Sequence, residues 1–410
     1  MIDPASGRDA VGDVHVADGK ISESFSNPEK TIDARGLVVA PGFIDLSVRL
    51  REPGQEHKAT LESETAAAAA GGVTSVACPP DTDPPLDEPG LVDMLRRRAK
   101  ALARARVYPI GALTVKLEGK SLTEMGQLAE AGCVAFSQAN APLADTQVLW
   151  RALQYAATFG YPVWLRPEDV WLAKGGVAHD GEVATRLGLP GIPPFAETVA
   201  LATILELVRA TGARVHLCRL STAGAVELIR RAKAEKLPVS CDVALHHVHL
   251  SEVDLGYFDS HCRLEPPLRS RRDRDALARA LAEGVIDCLC SDHTPVDEDG
   301  KHLPFAEAEP GATGLELLLP LALKWGAAQK LPLAATLARI TSEPARVLGV
   351  ASGRLAPGAP GDLAIFDPQA PVRIAAESLK SQGKNTPFLG YELAGRVKYT
   401  VVAGNVVYEG

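Results

Sequence analysis

The sequence lacks the features that mark membrane, secreted or nucleic-acid-binding proteins. No apolar run approaches the roughly 18 residues that crossing a bilayer requires, and the N-terminus does not join a charged segment to an apolar one. There is no block of basic residues and the net charge is −8, so we expect neither a nucleic-acid nor a membrane partner. These absences favour a cytoplasmic protein.

Cysteine occurs, but not in a pattern typical of disulfides or zinc sites. The seven cysteines are odd in number and contain no CxxC pair. Most lie in apolar, strand-like runs, and Cys288 and Cys290 are spaced to share one face of a strand. We interpret them as buried, reduced thiols.

What the sequence does contain is an alternation of short apolar runs and helical segments. The strand candidates are GFIDLSV, VTSVAC, RVYPIGA, CVAFS, PVWLR, RVHLCRL, PVSCDVAL and DCLCSD. The segments between them, such as TVALATILELVRA, carry apolar residues at helical spacing. This predicts an α/β fold in which residues 41–353 form a parallel (β/α)8 TIM-like barrel with C-terminal helices. An open doubly wound sheet is the alternative, although no GxGxxG motif follows the first strand.

The two ends of the chain have a different pattern. Residues 1–40 and 354–410 carry short alternating runs, such as DVHVADGKI and VKYTVVAGNVVYEG, in which DG and GN are hairpin-turn pairs. We predict that both ends pair into one small β-domain beside the barrel. The abrupt opening MIDPASG leaves open a longer native N-terminus.

Functional side chains of such a barrel lie at the C-terminal ends of its strands. Here the first strand ends in SVRLREPG, the second in CPPDTDPP, the fourth in FSQAN, the fifth in LRPED, the sixth in HLCRLST and the eighth in SDHTP. The stretches PGFIDLSVRLREPG, LGLPGIPPFAE, EPPLRSRRDRDAL, SDHTP and NTPFLG resemble motifs of dihydroorotase, a zinc enzyme of the amidohydrolase superfamily. The resemblance runs in order along almost the whole chain and implies an amidohydrolase-type barrel.

The departures from the family pattern fall on the residues that carry its chemistry. The positions of four histidine ligands and a bridging aspartate hold, in chain order, Ser47, Arg49, Gln138, Arg166 and Arg219. The family's last-strand aspartate, a metal ligand and general base, is kept as Asp292. Zinc takes imidazole, thiolate or carboxylate ligands, whereas a guanidinium has no acceptor atom and stays protonated. We therefore predict no metal, no cofactor and no metal-activated hydroxide.

The substrate side of the family's site is changed as well. Arg51 corresponds to the arginine that holds the substrate carboxylate, but two family asparagines are Asp81 and Glu265 here. Carboxylates at these positions would repel an anionic substrate. We interpret Arg51, Asp81, Glu265 and Asp292 as a vestigial pocket. Our hypothesis is that the four arginines Arg49, Arg51, Arg166 and Arg219 replace the metals' charge in a buried ion network, with Asp292 as an arginine counter-ion.

Histidines give a competing indication. In LHHVHL, His247 and His249 would share a strand face and could hold a metal, but the pair matches a family stretch outside its metal set. The alternative is a structural cluster whose hydrogen bonds are satisfied. We interpret His216 and His293 as structural too, with His293 pointing away from Asp292.

The resemblance implies a function without catalysis. In certain bacteria, non-catalytic dihydroorotase-like chains associate with aspartate carbamoyltransferase, the preceding enzyme of pyrimidine synthesis. We therefore predict a pseudoenzyme that forms a hetero-oligomer with the catalytic chain of aspartate carbamoyltransferase, with equal subunit numbers. The alternatives are a metal-free or repurposed cyclic-amide hydrolase and a small-anion sensor.

Overall fold

The computed structural model describes residues 1–24 and 28–410. In chain order the strands are β1 (Ile2–Asp3), β2 (Arg8–Asp9), β3 (His15–Ala17), β4 (Lys20–Ser22), β5 (Val38–Pro41), β6 (Phe43–Asp45), β7 (Val73–Cys78), β8 (Arg106–Ala112), β9 (Ala135–Ser137), β10 (Val163–Leu165), β11 (Ala178–His179), β12 (Gly191–Ile192), β13 (Val215–Leu217), β14 (Val239–Ala244), β15 (Cys288–Cys290), β16 (Leu363–Arg373), β17 (Glu392–Val402) and β18 (Asn405–Glu409). The α-helices are α1 (Leu61–Ala70), α2 (Pro89–Leu102), α3 (Met125–Ala131), α4 (Thr146–Phe159), α5 (Glu182–Leu187), α6 (Phe195–Thr211), α7 (Ala223–Ala234), α8 (Leu245–His249), α9 (Arg271–Glu283), α10 (Glu298–Lys301), α11 (Leu318–Ala328), α12 (Leu333–Ala338) and α13 (Ser342–Leu348).

Eight parallel strands form a barrel at the centre of the molecule. They pair in the order β6, β7, β8, β9, β10, β13, β14 and β15. The sheet closes where Val48, just after β6, bridges to His293, just after β15. At this seam the Arg49 N–H donates to the His293 carbonyl over 2.9 Å, and the His293 N–H donates to the Ser47 carbonyl over 2.9 Å. Each strand candidate contains one of these strands, so the predicted barrel is confirmed and the open sheet is excluded.

Helices surround the barrel and begin at residues suited to that position. Thr60 caps α1, because its side chain accepts the Ser63 N–H over 3.1 Å, and Asp145 caps α4 in the same way. Ala67 and Ala68 of α1 are buried, so this helix can lie close to its neighbours. None of the helices in residues 1–24 and 28–410 combines the length and apolar character needed to cross a bilayer.

The barrel interior is filled by apolar side chains that range in size from alanine to tryptophan. One buried cluster takes residues from successive barrel strands, namely Ile44, Leu46, Ala77, Ile110, Ala135, Trp164, Ala244, Cys288 and Cys290. Cys288 and Cys290 therefore do share a face of β15. All seven cysteines, each within the described residues, are unpaired, and burial raises the pKa of both Cys288 and Cys290.

Both ends of the chain contribute to one antiparallel sheet beside the barrel. Its strand order is β18, β17, β16, β5, so it joins residues 38–41 to residues 363–409. The turn between β3 and β4 is formed by Asp18 and Gly19, with φ of 49° and 71°. The turn between β17 and β18 is formed by Ala403 and Gly404, with φ of 48° and 82°, one residue before the predicted GN pair. Such pairs of positive φ values suit two-residue hairpins.

Candidate functional site

The C-terminal ends of three barrel strands bring buried arginines together. Arg49 follows β6, Arg166 follows β10 and Arg219 follows β13. Their side chains are only 5%, 6% and 4% exposed, respectively. Burying a guanidinium this deeply is unfavourable unless acceptors compensate its charge, so its partners decide what the site can do.

Asp292 is the shared counter-ion of two of these arginines. Its Oδ1 atom accepts from Arg219 Nη1 over 3.0 Å, from Arg49 Nη1 over 3.4 Å and from the Ser47 hydroxyl over 3.2 Å. Arg49 Nε also donates to Asp81 Oδ2 over 2.7 Å. These contacts form one continuous chain, Asp81–Arg49–Asp292–Arg219, which we call the buried ion chain.

Electrostatics within the buried ion chain favour the charged forms. Burial alone would raise the pKa of Asp81, but the charge and hydrogen bond of Arg49 outweigh it and hold that pKa below its usual value. Burial alone would lower the pKa of Arg219, yet the charge of Asp292 contributes to a net increase. Asp81 and Arg219 are therefore held in their charged forms by the opposite charges beside them.

Arg51 and Arg166 do not pair with the carboxylates of this chain, so the hypothesis of one ion network containing all four arginines is too broad. Arg166 pairs over 2.7 Å with Glu168, a residue that sequence reasoning missed. Arg51 donates to the Pro295 carbonyl and to the Gln55 side chain, both over 2.9 Å, and burial lowers its pKa to about 10.

Glu265 and Gln138 also have neutral partners. The Glu265 carboxylate accepts from Asn140 Nδ2 over 3.0 Å, and Asn140 Oδ1 in turn accepts from Arg219. Gln138 accepts from the Thr114 hydroxyl over 2.9 Å and donates to the Leu117 carbonyl over 2.7 Å. Gln138 is thus engaged away from the arginines. The SQAN stretch gave no indication that Asn140 would link Arg219 to Glu265.

Four residues at these strand ends have left-handed backbone conformations that are uncommon outside glycine. Their φ values are 61° for Arg51, 50° for Ala139, 55° for Arg219 and 49° for Asp292. Such conformations cluster at functional sites because the surrounding structure must hold them in place. The loops at the strand ends therefore hold four non-glycine residues in uncommon backbone conformations.

Little space is left between the arginines. The cavity at the strand ends has a volume of about 20 Å³, room for one particle the size of water. Its lining residues are Leu46, Ser47, Arg49, Pro79, Ile110, Ser137, Ala139, Trp164, Arg166, Cys218 and Arg219. The lining thus includes three guanidiniums and no carboxylate.

A larger, open groove of about 590 Å³ lies among the loops that follow β8, β9 and β10. Its lining residues are Glu118, Gly119, Lys120, Pro142, Ala144, Asp145, Val170, Trp171 and Lys174. None of the predicted site residues lines this groove. Despite its size, it therefore does not correspond to the family's reaction centre.

The prediction that His247 and His249 share a strand face is wrong. The strand β14 ends at Ala244, and both histidines lie in the short helix α8, where residues two apart point in different directions. His247 Nε2 contacts the Pro266 carbonyl over 3.1 Å, and His249 Nε2 contacts the Leu321 carbonyl over 2.9 Å. Burial lowers the pKa of both to about 4, so they act as neutral hydrogen-bond donors.

Within the described ranges, one group of side chains is compact enough to be considered for a metal: His216, Cys218 and Asp242, whose ligand atoms lie within 4.8 Å of one another. His216 already contacts Ser240 Oγ over 2.8 Å and Asp242 Oδ2 over 2.9 Å. The other Asp242 oxygen accepts the Arg219 N–H over 2.6 Å. Burial and the Asp242 charge raise the pKa of the Cys218 thiol, which disfavours the thiolate that a metal needs. The group is best described as a closed hydrogen-bond set.

The positions that carry the family's metals do not fit a metal here. Ser47 offers a hydroxyl, Gln138 is hydrogen-bonded elsewhere, and the three arginines offer only donors. The carboxylate of Asp292 is already bound by two guanidiniums. A dication placed here would face positive charge and find few ligand atoms, so no metal-dependent step can be assigned to these residues.

Comparisons with known proteins agree along the whole chain. A family model described as Dihydro-orotase-like matches residues 36–225, and one described as Amidohydrolase family matches residues 175–408. A "Dihydroorotase-like protein" of Pseudomonas aeruginosa is 48% identical, and the match covers 100% of this chain and 98% of that protein. A "Dihydroorotase" of Geobacter sp. (strain M21) is 41% identical, with 100% and 97% covered.

Solved structures show the same architecture. The "L-Hydantoinase (Dihydropyrimidinase)" from Arthrobacter aurescens superposes with a TM-score of 0.86 at 25% identity, covering 97% of this chain and 92% of that one. The D-hydantoinase from Thermus sp. superposes with a TM-score of 0.82 at 23% identity, covering 96% and 91%, which supports the fold. Together with the full-length relatives, these matches establish that the chain belongs to the dihydroorotase-like proteins of the amidohydrolase family.

Proposed function

We propose that this chain is a catalytically inactive dihydroorotase-like subunit that assembles with, and supports, aspartate carbamoyltransferase in pyrimidine synthesis. The observation that carries the proposal is the replacement of the reaction centre by the buried ion chain. Arg49 and Arg219 share Asp292, the one carboxylate that the family would use as metal ligand and general base. The Asp292 Oδ1 atom already accepts from these two guanidiniums and from the Ser47 hydroxyl, so it is not free to accept a proton from a substrate.

The available space supports the same proposal. Small-molecule sites usually measure about 300 Å³ or more. The cavity at the strand ends is about 20 Å³, so a cyclic amide would have to displace buried, paired arginines to enter. Displacing them would break ion pairs in a poorly hydrated environment, which is costly.

The choice of partner comes from the resemblance to non-catalytic dihydroorotase-like chains. A full-length barrel that retains its fold but whose pocket is closed leaves its outer surface as the part available for function, and fold alone does not determine function. Assembly with a second enzyme would explain the retention of the whole domain.

We expect the purified protein to contain no stoichiometric zinc and not to interconvert dihydroorotate and carbamoyl aspartate. The reason is the loss of the ligand set at Ser47, Arg49, Gln138, Arg166 and Arg219. Elemental analysis and a coupled assay in both directions would check this, with the Geobacter relative named dihydroorotase as the parallel control. One or more zinc ions per chain together with chelator-sensitive activity would overturn it, and turnover of another cyclic amide would favour a repurposed hydrolase.

Co-expression with the aspartate carbamoyltransferase of its host should give a stable complex with equal subunit numbers. Native mass spectrometry and sedimentation at micromolar concentration would measure the stoichiometry. Because the partner binds only the folded state, the melting temperature of this chain should rise in the complex. Two independently migrating proteins, with the transferase fully assembled and active alone, would contradict the proposal.

A further inference from the structure

We propose that the cavity between Arg49, Arg166 and Arg219 is a binding site for a single monatomic anion, of which chloride is the common example. The anion would lie at the strand ends, in the region where the family holds its cations. This inference does not depend on the partner protein, since it concerns only the interior of the barrel.

Three side chains that line the cavity carry a buried donor without an acceptor. Arg49 Nη2, Arg166 Nε and Trp164 Nε1 are all buried, and none has a hydrogen-bond partner among the residues that the structure describes. All three side chains line the same cavity of about 20 Å³. A buried donor left unsatisfied costs about 1–3 kcal/mol, and more when it is charged. Three such donors around one space therefore call for an acceptor within it.

The charged residues that line the cavity are all positive. Arg49, Arg166 and Arg219 line the cavity, whereas no aspartate or glutamate does. The carboxylates that pair with these arginines, Asp81, Glu168 and Asp292, are not among the lining residues. The Ser137 hydroxyl, which accepts the Ala139 N–H, completes the polar lining and keeps its own hydrogen for an anion, whereas the Ser47 hydroxyl donates to Asp292. The charged groups nearest the cavity are thus guanidiniums, and their carboxylate partners lie outside the lining.

The size of the cavity and the donors around it select a monatomic anion. The volume admits one particle the size of water, which excludes sulfate, phosphate and any carboxylate metabolite. A water molecule would need acceptors for its own two hydrogens, and the side chains of the lining offer only two hydroxyl oxygens and the weakly accepting Cys218 sulfur for them. A halide has no hydrogen to place and accepts from several donors at once, so it matches the donor-rich lining better than water does.

Bromide is the probe that tests this site, since it is a heavy monatomic anion and quenches indole fluorescence on contact. The protein would be purified in sodium gluconate and titrated with sodium bromide at constant ionic strength. We expect a saturable quenching component, a saturable rise in Tm, and an anomalous diffraction peak between Arg49, Arg166 and Trp164 in bromide-grown crystals. Chloride should compete with bromide for the same site.

Two tryptophan variants separate bound from collisional bromide. Trp164 is 2% exposed and lines the cavity, whereas Trp171 is 70% exposed and lies outside it. Trp171→Phe should remove part of the linear quenching and keep the saturable component. Trp164→Phe should abolish that component and, judged by the Tm titration, weaken bromide binding about 10- to 100-fold, as expected for a lost hydrogen bond to a charged group.

A third variant tests the same site if Trp164→Phe does not fold. Arg166→Lys keeps the positive charge beside Glu168 but removes the Nε donor, and it should weaken bromide binding when the Tm rise is measured against the variant's own Tm in gluconate. Saturable binding that is equal in all three variants would overturn the proposal. So would the lack of any saturable bromide effect, or a crystal in which the cavity holds water and no anomalous peak.

Discussion

Asp292→Ala should lower the free energy of unfolding by about 3–5 kcal/mol, the usual result of removing one partner from a buried ion pair. The substitution would leave Arg49 and Arg219 buried without their shared carboxylate, with side chains only 5% and 4% exposed. Alanine also tolerates the left-handed backbone at this position, φ 49°, less well than aspartate does. Urea denaturation followed by circular dichroism would measure the change.

Two variants show which part of that loss comes from charge. Asp292→Asn keeps the size and the backbone preference of the side chain and should lose most of the same free energy. Asp299→Ala, at an exposed position in α10, should change it by less than about 0.5 kcal/mol. An unchanged denaturation midpoint for Asp292→Ala would mean that water reaches the two guanidiniums and replaces the carboxylate.

Glu64→Ala should be comparably destabilising, by about 3–5 kcal/mol, because Glu64 is a fully buried, charged acceptor for several donors from two distant segments of the chain. It accepts from the Ser381 hydroxyl over 2.7 Å, from the Gln382 N–H over 3.0 Å and from the His293 ring. His293 Nδ1 accepts backbone N–H groups from residues 314 and 315, over 3.2 and 3.3 Å, which places the ring hydrogen on Nε2 toward Glu64. Removing Glu64 would take the acceptor from the Ser381 hydroxyl, the Gln382 N–H and the His293 ring.

The effect of Glu64→Ala should also depend on pH. Burial alone would raise the pKa of Glu64, but His293, Ser63 and Ser381 outweigh it and lower that pKa. A carboxylate whose pKa is lower in the folded state stabilises the fold above its unfolded pKa of about 4.3, and this contribution is lost as the pH falls through the folded value. The difference between wild type and Glu64→Ala should therefore be largest near neutral pH and smaller below pH of about 4.

Glu62→Ala on the same helix is the matched control. Glu62 is exposed, and its contact with Arg104 is a long surface ion pair of 3.6 Å. Such pairs contribute about 0–1 kcal/mol, so this variant should remain near wild type at every pH. A Glu64→Ala variant that is as stable as Glu62→Ala would show that the three donors find other acceptors.

The barrel could be predicted from sequence because its strands satisfy one simple physical condition. Strands covered on both faces, such as those in VTSVAC and DCLCSD, read as short runs of mostly apolar or small residues, and helices with apolar faces separate them. The hairpin at Asp18–Gly19 was predictable because few residue pairs tolerate two successive positive φ values. In contrast, LHHVHL forms a helix, because a stretch of a few residues shows no clear period and its packing against β14 and α9 decides its conformation.

The site was predictable in its residue types but not in its pairings. The position of each arginine at a strand end followed from the motifs, and their inability to bind zinc followed from the chemistry of the guanidinium. Which carboxylate each arginine would contact depends on loop paths that no periodicity encodes. Arg166 pairs with Glu168, two residues away along the chain, whereas Arg51 contacts a carbonyl 244 residues away.

The seam of the barrel has a consequence for the kinetics of folding. Ser47 and Asp292, which hydrogen-bond across it, are 245 residues apart, so closing the seam requires the largest loop-closure entropy of any strand pairing in the barrel. Contacts of such long range form late in folding, after the intervening strand–helix units have assembled. Interactions absent from the transition state act on the unfolding rate rather than on the folding rate. The buried ion chain would then lower the unfolding rate of the closed barrel and leave its folding rate unchanged.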